Sequence, residues 1–206
     1  MKLYYSSGAC SLSPHIVLRE AGLAFELVRA STKTHRLDDG TDFYSINPQG
    51  SVPVLELDNG ERLTEGPAIV QYIADLVPER GLAPPNGRWE RYRLQEWLNF
   101  VTSELHKGFS PLFNPRMPEE AKALARERLV QKFQHVESRL SGRDYTMGAQ
   151  FSVADAYLFT VATWGKYVAV DLAGFPNLQG FMGRMMQRPA VRDALAAEGL
   201  LKADAS

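Results

Sequence analysis

Ser6-Ser7-Gly8-Ala9-Cys10-Ser11-Leu12-Ser13-Pro14 follows the short run Leu3-Tyr4-Tyr5 and precedes His15-Ile16-Val17-Leu18-Arg19-Glu20-Ala21. The order reads as strand (2–5), Ser/Gly-rich turn, helix. Pro14 suits a first helical position, where its missing N–H costs nothing, and Ser13 is placed to cap. Gly22 is placed to end the helix. The turn carries Cys10, the only cysteine among 206 residues. A thiol between a strand end and a helix N-terminus meets unpaired N–H groups and the positive end of the helix dipole. That setting favours the thiolate and makes the sulfur a better nucleophile. A lone cysteine is otherwise a small core residue; the polar, flexible setting favours the reactive role.

Working outward, residues 25–28 read as a second strand and 31–44 as a polar loop. Residues 52–57 read as a strand, Asp58-Asn59-Gly60 as a hairpin turn and 62–64 as the returning strand. Pro67 then opens a helix through Ala74. The result is β-α-β, a hairpin and a helix. Pro53 stands where an interior strand proline would break the ladder, and a cis Val52-Pro53 bond is one way to hold such a turn. Val52 would then offer its N–H and C=O to an extended ligand, as an added strand does.

The second half is helical. Residues 78–88 contain Pro78, Gly81, Pro84, Pro85 and Gly87, and 81–87 serve as the linker between a domain at 1–80 and one at 88–206. Helical patterns follow at 89–109, 119–140, 153–168, 176–186 and 189–197. The 153–168 stretch is apolar enough for a buried central helix. Ser152-Val153-Ala154-Asp155 is a capping box, which assigns Asp155 to folding. Asn99, Ser103 and His106 are spaced i, i+4, i+7 and would share one polar helix face, suggesting a cleft.

Bulk properties bound the function. Hydrophobic content of 45%, charged content of 23% and a net charge of −1 give no footprint for nucleic acid or a membrane surface. A single cysteine precludes an internal disulfide and suits a reducing compartment. No apolar run nears the roughly 18 residues of a membrane span, and the N-terminus turns to Ser and Gly too soon for a signal peptide. A cytoplasmic protein is expected. His15 and His135 have no ligand partners at metal spacing, so no metal is assigned.

In order and spacing these motifs resemble a glutathione transferase over nearly the whole chain. The resemblance rests on the Cys10 turn, Val52-Pro53-Val54-Leu55, Thr64-Glu65-Gly66-Pro67-Ala68-Ile69, the linker and Ser152-Val153-Ala154-Asp155. Cys10 in Gly8-Ala9-Cys10-Ser11-Leu12-Ser13-Pro14-His15, and His106 in Ser103-Glu104-Leu105-His106-Lys107, are similar to the bacterial beta class. The resemblance implies a thioredoxin-like α/β domain with a mixed four-stranded sheet, followed by an all-α helical-bundle domain.

It further implies a homodimer whose co-substrate is glutathione and whose second substrate is a small apolar electrophile, bounded by Phe109, Phe113 and the 164–168 stretch. Cys10 and His106 are the implied catalytic residues. The implied glutathione contacts are Cys10, His35, Val52, Glu65, Gly66, Asn99, Ser103, Glu104, Leu105 and His106. Cys10 would meet the glutathione sulfur and can form a mixed disulfide with it, with Ser11 beside it as a hydrogen-bond donor. Tyr5 would support the site. Lys107 would add positive potential or lie in solvent. Glu65 would take the α-amino group, and the Gly66 backbone the α-carboxylate. His35 stands where the class usually has a lysine at the glycyl carboxylate, and a neutral imidazole donates one hydrogen bond. Because Ser13 stands where a C-x-x-C pair has its second cysteine, a glutathione must resolve any mixed disulfide. Two alternatives remain: a redox enzyme working through Cys10, and a non-catalytic ligand-binding protein on the same fold.

Overall fold

The computed structural model describes residues 1–201. Its chain divides into two compact units, Met1–Leu82 together with the segment from Arg188, and Ala83–Gln187.

The first unit is built on a four-stranded mixed sheet of order β2-β1-β3-β4, with strands β1 (Lys2–Tyr5), β2 (Glu26–Arg29), β3 (Val54–Glu56) and β4 (Arg62–Leu63). Strand β1 runs parallel to β2 and antiparallel to β3, and β3 is antiparallel to β4. Tyr4 is in register with both Val28 and Val54, and Leu3 with both Leu27 and Leu55. Successive side chains point to opposite faces, so each set lines one face. Tyr4 and Val54 pack with Phe43, Ala30 and Val52, and with Leu37 and Ile46 at the edge. The 31–44 stretch is therefore more than a polar loop. Bridges Ala30↔Leu37 and Arg36↔Asp42 shape it, and its Phe43 is a core residue at the head of a short 3₁₀ turn, Phe43–Ser45.

Helix α1 (Leu12–Ala21) starts before Pro14, and no side chain caps it. Ser13 lies inside it instead, with its Oγ buried and unpaired. Gly22 ends α1 in the left-handed conformation, as expected. Helix α2 (Gly66–Leu76) packs against α1.

The second unit contains α3 (Trp89–Phe100), α4 (Lys107–Phe113), α5 (Glu119–Leu140), α6 (Val153–Ala162) and α7 (Pro176–Gln187). The expected 89–109 helix is interrupted by a π-helical segment, Val101–His106. Every residue of α6 is buried. Its N-terminus is held by the capping box: the Asp155 carboxylate accepts from the Ser152 N–H at 2.7 Å, the Ser152 hydroxyl at 2.8 Å and the Thr146 N–H at 2.7 Å. Burial pushes the Asp155 carboxyl up to about 6 against the pull of those donors. A second buried carboxylate, Glu137 on α5, accepts the backbone N–H groups of Asn177 and Leu178 at the start of α7.

The boundary at 88–206 needs correction. Helix α8 (Pro189–Ala197) packs on α1 and belongs to the first unit. Its Val191, Ala194 and Leu195 are buried, and Arg188 makes a two-point ion pair with Glu20 of α1 at 2.6 and 2.8 Å. Residues 202–206, the end of the expected second domain, lie outside the described residues.

Candidate functional site

In the first unit the site grows from the turn after β1. Gly8 takes φ 70°, a left-handed conformation that a side chain disfavours. Ser11 is fully buried and closes the turn on itself: its Oγ accepts the Ser6 N–H at 3.1 Å and donates to the Ser6 carbonyl at 3.2 Å. That hydroxyl is spent inside the turn, so it is not the donor expected beside the sulfur. Cys10 stays partly exposed two residues before α1, and its S–H donates to the Val52 carbonyl at 3.3 Å. The Val52-Pro53 bond is cis.

The turn is also held from far along the chain. Glu198, just past α8, accepts the Gly8 N–H at 2.9 Å and pairs with His15 Nδ1 at 2.8 Å. Its carbonyl accepts the Ser7 hydroxyl at 2.6 Å. Arg19 Nε donates to His15 Nε2 at 2.9 Å, which leaves Nδ1–H as the donor to Glu198. Tyr5 packs near the His15 ring, and burial raises its phenol pKa, with the Glu198 charge adding to the effect. No local motif announces this network, because its partners are separated by more than 180 residues.

Two further elements complete this half. Glu65 precedes α2 at φ 66°, ψ 108°, an uncommon conformation for a residue with a side chain, and its carboxylate is exposed. Its carbonyl accepts the Ala68 and Ile69 N–H groups. Gly66 opens α2, followed by Pro67, which has no N–H to offer. His35 sits at φ 51°, its ring 4.7 Å from the Tyr44 ring centroid, with Nδ1 3.0 Å from the Gly50 carbonyl. Since a carbonyl only accepts, Nδ1 carries the proton. In the neutral ring Nε2 is therefore an acceptor, and His35 can donate from Nε2 to a carboxylate only as an imidazolium. This corrects the expectation that the neutral ring has a donor to spare.

In the second unit, Asn99 and Ser103 are exposed, and the Ser103 hydroxyl donates to the Asn99 carbonyl at 3.0 Å. His106 leaves their face. The wider i→i+5 winding of the π segment turns the chain less per residue than an α-helix does. The His106 ring instead meets buried partners: its Nδ1 lies 2.7 Å from the Tyr157 hydroxyl, and its ring packs edge-on at 4.8 Å from Trp164. Burial, helped by the neighbouring Lys107 charge, lowers the His106 pKa to about 4 and keeps the ring neutral at pH 7.

Glu104 is engaged by Lys132 at 2.7 Å, and that ammonium holds its carboxyl below the usual range. Leu105 is wholly buried, so only its backbone remains for a ligand. Phe109 is likewise core, whereas Phe113 is half exposed and Tyr167 more so. Lys107 is exposed. Among the described residues no three His, Cys, Asp or Glu side chains gather to hold a metal ion, and no helix is long and apolar enough to cross a membrane.

Family models for the glutathione S-transferase N-terminal and C-terminal domains match residues 1–75 and 100–189. The chain belongs to the glutathione S-transferase family. It is 50% identical over 200 residues to glutathione S-transferase GstA of Escherichia coli O157:H7, covering 97% of this chain and all of the relative. A solved bacterial beta-class glutathione S-transferase from Sphingomonas chungbukensis is 48% identical, with a TM-score of 0.95 over 98% of this chain and 100% of that one. A sphingomonad glutathione S-transferase complexed with glutathione is 50% identical, with a TM-score of 0.94 and the same coverage. This glutathione S-transferase falls with the bacterial beta class, and its first unit has the thioredoxin-like fold. The sequence singles out Cys10, Val52, Glu65, Gly66, His35 and His106 as candidates. It does not single out Tyr157 as the partner of His106, because a tyrosine in an apolar helix carries no local mark of function, and it does not single out Glu198.

Proposed function

We propose that this glutathione transferase joins the sulfur of glutathione to small apolar electrophiles. The observation that carries this reading is Cys10: a partly exposed thiol before α1, held at 3.3 Å from the Val52 carbonyl. The Val52 backbone pairs with the cysteinyl portion of glutathione in the manner of an added strand. The Gly66 N–H at the start of α2 receives the α-carboxylate, favoured by the helix dipole. The exposed Glu65 carboxylate takes the α-amino group, and His35 the glycyl carboxylate. Asn99, Ser103 and the backbone of Glu104 and Leu105 serve the same substrate. Cys10 and His106 act at the sulfur: hydrogen bonds to a thiolate stabilise its charged form and raise its share at neutral pH. The electrophile lies against Phe113 and the 164–168 stretch. The enzyme works as a cytoplasmic homodimer without a metal.

The lone thiol supports a second activity. Attack of the Cys10 thiolate on a mixed disulfide RS–SG would give Cys10–SG and release RS⁻. A glutathione thiolate would then form oxidised glutathione and return the Cys10 thiolate. Turnover of an activated aryl halide, and reduction of a glutathione mixed disulfide, measured in wild type and Cys10→Ala, test both. Conjugation in wild type with disulfide reduction lost in Cys10→Ala is expected. Saturable glutathione binding without turnover of any electrophile would contradict the proposal.

A further inference from the structure

A neutral imidazole has one N–H, and its position decides what the ring does. With the proton on Nε2, His106 offers that nitrogen as a donor. With the proton on Nδ1, Nε2 is a lone pair and a base. Nδ1 is engaged by the Tyr157 hydroxyl at 2.7 Å. A phenol O–H is a stronger donor than a neutral imidazole N–H, and an imidazole nitrogen is a stronger acceptor than a phenol oxygen, so the favoured direction at this short contact is O–H to Nδ1. Tyr157 itself is 2% exposed, on a helix buried along its whole length and pinned two residues earlier by the Asp155 capping box. The Trp164 ring stands at 75° to the imidazole, closing another side.

From this geometry we infer that Tyr157 is the positioning residue for His106: its O–H donates to Nδ1, fixes the Nε2–H form and makes His106 a hydrogen-bond donor to sulfur and not a base. The assignment of a donor role rests on the reading of His106 as a site residue; the tautomer does not. The low His106 pKa agrees with a ring that stays neutral in use. The same arrangement places the mechanical chain of the site within one unit, from the capping box through α6 to the imidazole.

Long-range ¹H–¹⁵N NMR of ¹⁵N-histidine protein tests this directly, with His106 assigned by its absence in His106→Gln. The expected wild-type pattern is a protonated Nε2 and an unprotonated, hydrogen-bonded Nδ1 throughout pH 6–8. Tyr157→Phe should mix the two tautomers and lower kcat for conjugation about tenfold, with KM for glutathione changed less than twofold. An Nδ1–H tautomer or an imidazolium in wild type at pH 7 would overturn the inference, and so would an unchanged tautomer in folded Tyr157→Phe. The wild-type spectrum decides even if that variant does not fold. Failure of the underlying reading is separate: His106→Gln would leave kcat and glutathione affinity unchanged while the wild-type spectrum still showed Nε2–H.

Discussion

His35 shows how one hydrogen bond redirects a residue's chemistry. Its Nδ1–H is committed to Gly50, so a carboxylate gains a donor at Nε2 only when the ring takes up a second proton. His35→Lys should therefore bind glutathione severalfold more tightly at pH 8, because an ammonium donates to a carboxylate directly; calorimetric titration of both proteins checks it. Gly50 is part of the same device. At φ 64° a Cβ there would come within 2.6 Å of the Tyr44 ring and 2.8 Å of His35 Nδ1. Gly50→Ala should cost about 1–3 kcal/mol in urea unfolding and weaken glutathione binding, because both rings must shift. His35 was legible as a candidate from the sequence. The commitment of its one N–H was not, because Gly50 lies 15 residues on and contributes only a carbonyl.

Among the elements, α2 and α6 show what a helix start contributes. Gly66 has open space: a Cβ would stand 3.9 Å from Pro53 Cγ, an ordinary contact. Gly66→Ser should fold normally, by circular dichroism and thermal melting, and bind glutathione severalfold more tightly through an added hydroxyl at the helix N-terminus. At α6 the Asp155 carboxyl is raised to about 6, above its unfolded value near 3.9. The folded protein therefore holds that proton more tightly than the unfolded chain. The associated stability is fully present below pH 4 and is lost as pH rises through about 6. The stability advantage of wild type over Asp155→Asn should shrink by about 2–3 kcal/mol between pH 4 and pH 7, measured by urea unfolding. The capping box could be read directly because its partners are three residues apart. The π segment could not: 101–106 carry an ordinary helical pattern, and only the packed structure shows His106 turned from the Asn99 and Ser103 face toward Tyr157.

At the scale of the whole molecule, the strand-turn-helix start, the hairpin and the amphipathic helices were legible because each is local. The mixed sheet follows from their order. What was not legible is long-range polar pairing. Arg188 with Glu20, and His15 and Gly8 with Glu198, bring the last helix back to the first unit, where sequence pattern alone had carried the second domain to 206. Glu198→Ala would leave two donors without their acceptor, at a cost of about 2–5 kcal/mol in unfolding free energy. It should also lower conjugation rates, because Gly8 and Ser7 shape the turn that carries Cys10.

The central claim is that this turn, Val52 and the start of α2 form one glutathione site with Cys10 at the sulfur. A crystal structure of the protein grown with glutathione tests it most directly. The cysteinyl backbone should pair with Val52, the α-carboxylate should meet the Gly66 N–H, and the sulfur should touch Cys10 Sγ or be joined to it as a disulfide. Glutathione bound elsewhere, or bound here with its sulfur turned away from Cys10, would contradict it.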